Sequence, residues 1–532
     1  MSGLIGVSGL ASGVDWRNII DQLKQLEYKK IELIQNRQKT YQDKLGAWQS
    51  INTKLLSFRT VVGKINGPTD FNLFAPALSS NTSKDPDDLL SVTTGTSAAR
   101  GTYNLVVNSL ASAQKISSQS FASATTALGL SGDLLVNGKT VTVSATDTLS
   151  SLRDKINAVN TGTDPSEVTA SVVHYGTEDH RLIFTSDEEG VAGMTLENGG
   201  GDDILEALGI SEIQAGADAS FTVDGVVVTR SSNTVDDLIT GVTLNLKGAD
   251  PATTLTVNIN RDYEKLTEEI TEFVTAYNEL LDAINEQLTY DTATQTPGGP
   301  LFGDSTLRSL KTSLMRTVIN QVPGLNDDFS ALGQVGINLD NGGKLTVDSE
   351  TLQGFLETNF EDVKNLFVTS TSSTNSTLTY VDHNYNTQAG TYNINITGVS
   401  PVAGYFVSSG DASGSGEYLT GISGNAQGLV VRYSGTGTGS IGSFTLTYGV
   451  AELLDRSLYQ ITDSTYGYLP DKQEAIQETI NGFDEKIATM EARLEKKMEQ
   501  LELQFIKMES TLSTLQSLSS WLTSQINSLT GA

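Results

Sequence analysis

Apolar residues recur every three or four positions at both ends of this chain and alternate through much of its middle. From Ile20 to Ile65 the series runs Leu23, Leu26, Ile31, Ile34, Tyr41, Leu45, Trp48, Leu55, Phe58 and Val62, and Asn66-Gly67-Pro68 then stops it. This is the spacing of one helical face, with Gly and Pro placed as a helix end needs them. Ser12 or Asp15 is the expected cap of a helix starting near Trp16. Gly6, Gly9 and Gly13 ahead of it predict a flexible arm. A phosphate cradle is not expected there, because no strand precedes the glycines and no Gly-Lys-Ser/Thr follows.

The C-terminal series is longer. Ile476, Ile480, Phe483, Ile487, Met490, Leu494, Met498, Leu501, Phe505, Met508, Leu512, Leu515, Leu518, Leu522, Ile526 and Leu529 step by three or four without a proline. The paired steps of four at Met490, Leu494 and Met498 are a stutter that would locally unwind a supercoil and could mark a boundary. As one helix, 476–529 would be about 80 Å long. A single helix cannot bury its own stripe, and each exposed Leu or Ile forgoes about 1.5–3 kcal/mol. The stripe therefore needs a partner: the N-terminal helix, other copies of the chain, or both. Burial within one chain is one reading. Burial between chains is favoured, because the stripe runs almost to the last residue. The residues expected at that contact are Ile20, Leu23, Leu26, Ile31, Ile34, Leu501, Phe505, Met508, Leu512, Leu515, Leu518, Leu522, Ile526 and Leu529.

A third helix is predicted over Tyr263–Leu288, where Leu266, Ile270, Phe273, Tyr277, Leu280 and Ile284 share a face and Glu264 complements the helix dipole. Between the helices the pattern is β. The stretches 133–156 and 220–242 resemble each other: strand, Asn-Gly or Asp-Gly turn, strand, then a capped helix start, at Asp147 or Thr148 and at Asn233 or Thr234. "RGTYNLVVNSLA" (100–111) pairs with "AGTYNINITGVS" (389–400), so 377–451 reads as a further β domain built like an earlier one. The stretch 335–356 reads strand, turn, strand, and a helix capped by Ser349. The fold class is α+β multidomain, with a terminal coiled coil or bundle formed by both chain ends and β-rich domains nested between them.

Composition narrows the chemistry. The 532 residues carry a formal charge of −29, which argues against nucleic acid, and there is no cysteine for thiol or disulfide chemistry. No apolar run is long enough to span a membrane, so no membrane insertion is expected, and no basic residue precedes Arg17, so a cleaved export signal is not expected. Gly138-Lys139-Thr140 lacks the first glycine of a phosphate loop. Asn338, Asp340, Gly342 and Gly343 resemble a calcium loop, but Ser349 stands where the bidentate Glu belongs. His174 and His180 have no Cys partner, and Asp187-Glu188-Glu189 and Asp202-Asp203 lie in turn-like contexts. No catalytic residue, cofactor or metal site is expected.

The ordered set of "GLASGVDWRNIIDQL", "GTYNLVVNSLASAQ", "FTVDGVVVTRSSNTVDDLITGVTLNL", "FVTAYNELLDAI", "GPLFGDSTLRSLKTSL", "LTVDSETLQGFLETNFEDVKNLF" and "QFIKMESTLSTLQSLSSWLTSQINSL" resembles the flagellar filament cap family, also called hook-associated protein 2. The resemblance implies export through the flagellar type III channel without a cleaved signal. It implies a homo-oligomeric ring at the filament tip, commonly a pentamer, that holds exported flagellin and promotes its polymerisation without being an enzyme. Hook–filament junction proteins and an export chaperone are the further partners it implies. Carried onto this chain, it gives a terminal leg (1–40 with 500–532) and a helical leg domain (41–75, 259–376 and 452–499). It also gives an inner β domain (76–99 with 190–258) and an outer one (100–189). Segment 377–451 is a departure, since shorter members lack a domain there. A surface adhesin whose β domains bind glycan or mucin is the alternative; a glycoside hydrolase lacks a carboxylate pair that the sequence can place.

Overall fold

The computed structural model describes residues 12–408 and 410–530, with the backbone alone at 528–530. Gly6, Gly9 and the side chain of Leu529 therefore lie outside what is described. The helices in chain order are α1 (Trp16–Val62), α2 (Leu149–Ala158), α3 (Ile204–Leu208), α4 (Tyr263–Leu288), α5 (Ser305–Ile319), α6 (Ser349–Thr358), α7 (Phe360–Phe367), α8 (Val450–Thr462) and α9 (Tyr468–Thr530). Two units separate: 1–68 with 267–532, and 69–266.

In the first unit the periodic stripes form helices as expected. Asp15 caps α1 by accepting from the Asn18 amide (3.3 Å). α4 spans the expected residues, and α9 is one unbroken helix through the 490–498 stutter. Phe58 packs on Phe273 (5.7 Å between centroids) and Tyr277 (6.0 Å), and Phe273 meets Phe367 edge-on. The 335–356 module folds as a hairpin, Ile337–Leu339 with Leu345–Val347. Asn278 of α4 holds it by bonding both the amide and the carbonyl of Leu345 (2.8 Å each). The cap of α6 is Asp348, whose carboxylate accepts from the Thr351 amide, and not Ser349, which is the first helical residue. The carboxylate offers a charged acceptor to the third amide of the helix, so it takes the cap position.

Segment 369–448 forms two four-stranded sheets with their own core, around Tyr392, Ile394, Phe406, Leu419 and Phe444. Its incoming strand, Thr369–Ser373, pairs antiparallel with its outgoing strand, Gly439–Tyr448. A buried polar cluster seats it on the helices. The Arg456 guanidinium donates to Glu452 (2.6 Å) and to the carbonyls of Asn384, Tyr385 and Thr387, and lies 4.0 Å from the centroid of the Tyr448 ring. Arg59 donates to Asp455 (2.7 Å) and to the Tyr385 hydroxyl (2.8 Å), and Tyr385 stacks on Tyr459 at 3.9 Å. Burial first, then the Asp455 carboxylate, pushes Tyr385 up to about 12, so its hydroxyl stays protonated and donates to Asp455.

The second unit holds two cores. The inner one lies between a five-stranded sheet, in the order 74–80, 255–261, 101–109, 219–223 and 226–230, and a three-stranded sheet, 234–239, 242–246 and 90–94. The outer one gathers Leu134, Val136, Leu149, Leu152, Ile156, Phe184 and Leu208. Both dipeptide turns adopt positive φ, Asn137-Gly138 at 45° and 77° and Asp224-Gly225 at 50° and 83°. After the first hairpin α2 forms, with Thr148 and Ser151 making a capping box. After the second, the expected helix is a strand, Thr234–Ile239. Asn233 there does not cap. Its amide bonds both backbone groups of Ala111 (2.8 and 3.0 Å), which holds the chain extended where Val235 pairs with Leu244.

Two stretches also move between the expected β domains. Strand 101–109, assigned from sequence to the outer domain, is central in the inner sheet, with Leu105 and Val107 buried in that core. Residues 196–208, assigned to the inner domain, place Leu196, Ile204 and Leu208 on the outer core.

The "GTY" repeat is a repeat of topology. Tyr103 sits opposite Val257 and Tyr392 opposite Phe444, each on an outgoing strand that also pairs with the incoming one. Each outgoing strand is followed at once by a helix, α4 or α8. Replacing Arg456 by Leu leaves Glu452 with His383 alone and takes one donor from each of the three carbonyls, of which Asn384 keeps the Thr387 amide and Thr387 keeps the Tyr448 hydroxyl. The seat of the 369–448 domain should weaken by about 3 kcal/mol, as when one partner of a buried pair is removed. Hydrogen exchange should rise at 384–388 while the 337–347 hairpin keeps its protection.

Candidate assembly surface at the chain ends

α1 and α9 run antiparallel. Trp16 stacks flat on Phe505 (5.8 Å between centroids, 6° between planes), and Tyr41 meets Phe483 (5.6 Å). Between these points Ile31 and Ile34 are buried with Ile487, Leu494 and Met498, and Ile20, Met490 and Leu501 pack at the edge. The pairing follows from period: the same stripe that makes each helix places its knobs on the other. Polar rims flank the seam. Gln38 donates to Asp484 (2.6 Å), and Lys497 and Lys30 both donate to Glu27. Those two ammonium groups hold the Glu27 carboxyl down at about 2.

The described chain ahead of α1 begins at Ser12, which donates to Glu509. Beyond it α9 continues to Thr530, about 30 Å of further helix. Leu515 (57 % exposed), Leu518, Trp521 (58 %), Leu522 and Ile526 (56 %) stand in solvent there. Leu501, Met508, Leu515 and Leu522 fall seven residues apart, the spacing of a coiled-coil seam. Leu501 packs on the seam, whereas Met508, Leu515 and Leu522 are exposed.

Of the residues expected at the contact, Ile31 and Ile34 are buried within the chain, and Ile20, Leu501, Phe505 and Leu512 are half-buried. Leu23, Leu26, Met508, Leu515, Leu518, Leu522 and Ile526 are exposed. The seam is thus partly intramolecular, and it pairs 16–41 with 483–505 where 1–40 with 500–532 was expected. Trp16 is a seam residue that the sequence reading left out of the contact, although it opens the helix on the same face. Trp521, Leu503 and Ile506 add exposed apolar surface beside the stripe, and their signal was only that they are large and apolar.

The other flagged groups hold local structure. Asp340 accepts from the amides of Gly342 and Lys344 inside its turn. Asp187 and Glu189 accept from Thr169 and Asn233, Asp202 from Ser131, and Asp203 caps α3. His174 and His180 face each other across a hairpin, 4.3 Å between ring centroids. No group of three or more metal-ligating side chains occurs among the described residues. No helix among them is long and apolar enough to cross a membrane.

Residues 216–517 match the family described as flagellar hook-associated protein 2 C-terminus, residues 12–114 its N-terminus, and residues 132–188 the flagellin hook IN motif. The flagellar hook-associated protein 2 of Escherichia coli O157:H7 is 30% identical over 70% of this chain and 82% of its own length. That of Campylobacter jejuni is 26% identical over 91% of this chain and 77% of its own. The crystal structure of the E. coli flagellar cap protein FliD, domains D1–D2–D3, covers 60% of this chain and 90% of its own at 30% identity and a TM-score of 0.49. With a family match spanning more than half of its residues, an antiparallel terminal helix pair and β domains nested within it, the chain belongs to the flagellar hook-associated protein 2 family.

Proposed function

We propose that the protein is a structural part of the bacterial flagellum, the cap at the filament tip, which holds exported flagellin and promotes its insertion during elongation. The observation that carries this reading is the exposed apolar row of Leu515, Leu518, Trp521 and Leu522 on α9 beyond Glu509. An exposed row of this length forgoes burial at every residue, and only a partner recovers it. The partners we propose are other copies of the chain, in a ring of five, and flagellin. Hook–filament junction proteins and an export chaperone are proposed as transient partners of the same ends. The role is assembly and not catalysis, and the site of action is outside the cell, reached without a cleaved signal.

In this reading the antiparallel pair 12–41 with 483–530 is the leg. No observation favours the alternative of a glycan-binding adhesin.

Truncation after Glu509 should leave both units folded and abolish filament growth, with flagellin released into the medium. Normal filaments from the truncated protein would defeat the proposal. A subtler variant, with Leu515, Leu518, Leu522 and Ile526 all changed to Ser, alters side chains already in solvent. Its monomer stability should stay within about 0.5 kcal/mol per site of the parent. Filament growth in cells should nevertheless fail, and growth at the parental rate would count against the row as an assembly surface.

A further inference from the structure

A second surface has the opposite chemistry. α5 and α8 wall an open cleft of about 720 Å³, which continues into one of about 510 Å³ through the shared Ser309, Ser313 and Ser457. Arg308, Thr312 and Arg316 form one row along its α5 wall, four residues apart, Asn320 follows at the helix end, and Leu453 lies on the α8 side. Acidic residues outnumber basic ones 63 to 34 in this chain, yet residues 305–325 contain Arg308, Lys311 and Arg316 and no carboxylate. The nearest one, Asp304, is taken by Lys472 at 2.9 Å. Neither guanidinium has a carboxylate partner among the described residues, and both are exposed.

A matching row of opposite sign lies on α9. Glu491, Glu495 and Glu499 are four residues apart and exposed, in the cleft beside Arg17 and Lys24 of α1, and none forms an ion pair among the described residues. Arg308 to Arg316 and Glu491 to Glu499 each span eight helical residues, about 12 Å. The two rows cannot meet within one copy. Lys472 ties the start of α9 to the start of α5, and Glu491 lies about 28 Å further along the rod.

We propose that the α5–α8 cleft receives the Glu491–Glu499 row of α9 from a second copy of this chain, with Arg308 and Arg316 each pairing a carboxylate. The proposal rests on the homo-oligomeric reading above. The contact joins two different surfaces, so each copy keeps one free cleft and one free row, and copies add head to tail until the assembly closes. Because cleft and row lie at different heights on one copy, neighbouring rods lean across one another.

Charge exchange in the full-length chain tests this, with oligomer mass followed by analytical ultracentrifugation. R308E/R316E should weaken self-association at least about tenfold at low salt, because two ion pairs become two repulsions, and 1 M NaCl should shrink the difference. E491R/E499R should do the same alone, and the four-substitution exchange should restore association towards the parental level. Circular dichroism of each variant checks that these exposed changes leave the fold intact. Association of R308E/R316E equal to the parent, or a four-substitution protein no better than either pair, would overturn the contact while leaving the cap reading standing. A parental chain that stays monomeric at every concentration would overturn both.

Discussion

One antiparallel register between α1 and α9 fixes everything else in the helical unit. Lys472 lies over the Trp48 ring (4.6 Å) at one end of the seam, Tyr41 meets Phe483, and Trp16 stacks on Phe505 at the other. As residue numbers fall on α1 they rise on α9 by a nearly equal amount, so a single alignment holds throughout. The register is held by burial: Ile31, Ile34, Leu494 and Met498 are closed to water in this alignment. The two helices have unequal lengths, 47 and 63 residues, and start opposite different points. The register thus decides which part of α9 is covered and which stays open.

The same frame explains how the chain tolerates large insertions. Where a β domain leaves and rejoins the helices, its first and last strands are hydrogen-bonded neighbours: Phe74 opposite Arg261, and Thr369 opposite Tyr448. Chain ends held side by side ask nothing of the helices around them. The "GTY" strand then pairs on the free side of the outgoing strand in both domains. The recurrence of this topology at two places argues that 369–448 is a second use of one plan. Arg456 and Arg59 do in its seat what a longer interface would otherwise have to do, satisfying carbonyls and a carboxylate with planar, always-charged groups.

Much of this was legible before any coordinates. The stripe of α4 marks the helix to its ends, and the Asn137-Gly138 and Asp224-Gly225 turns lie where the dipeptides place them. What escaped was decided by distant residues. "TVDDLI" and "TLSSLRDKI" look alike as helix starts, yet Asn233 is held extended by the backbone of Ala111, 122 positions away. Strand 101–109 reads from its neighbours in sequence as part of the outer β domain, yet its partners lie at 219–223 and 255–261. At the chain ends the stripe itself was readable, because period is local. Which of its residues the chain buries for itself was not, because that depends on the register with α1.

Charge and apolar surface divide the work of assembly between them. Many of the carboxylates bind turns and caps nearby, as Asp147 does with Ser144, Ser151 and Lys155. They shape the fold and leave little to specify a neighbour. An apolar row such as Leu515–Ile526 supplies free energy but is nearly blind to partner and alignment, since any apolar stripe of the same period will fit it. Fixed charges at a set spacing have the reverse character: exposed pairs add little affinity, yet a mismatch is costly. A carboxylate-free helix in so acidic a chain is therefore informative out of proportion to its energy. An assembly that must both grip and choose needs one surface of each kind, and α9 beyond Glu509 and the face of α5 have those two characters.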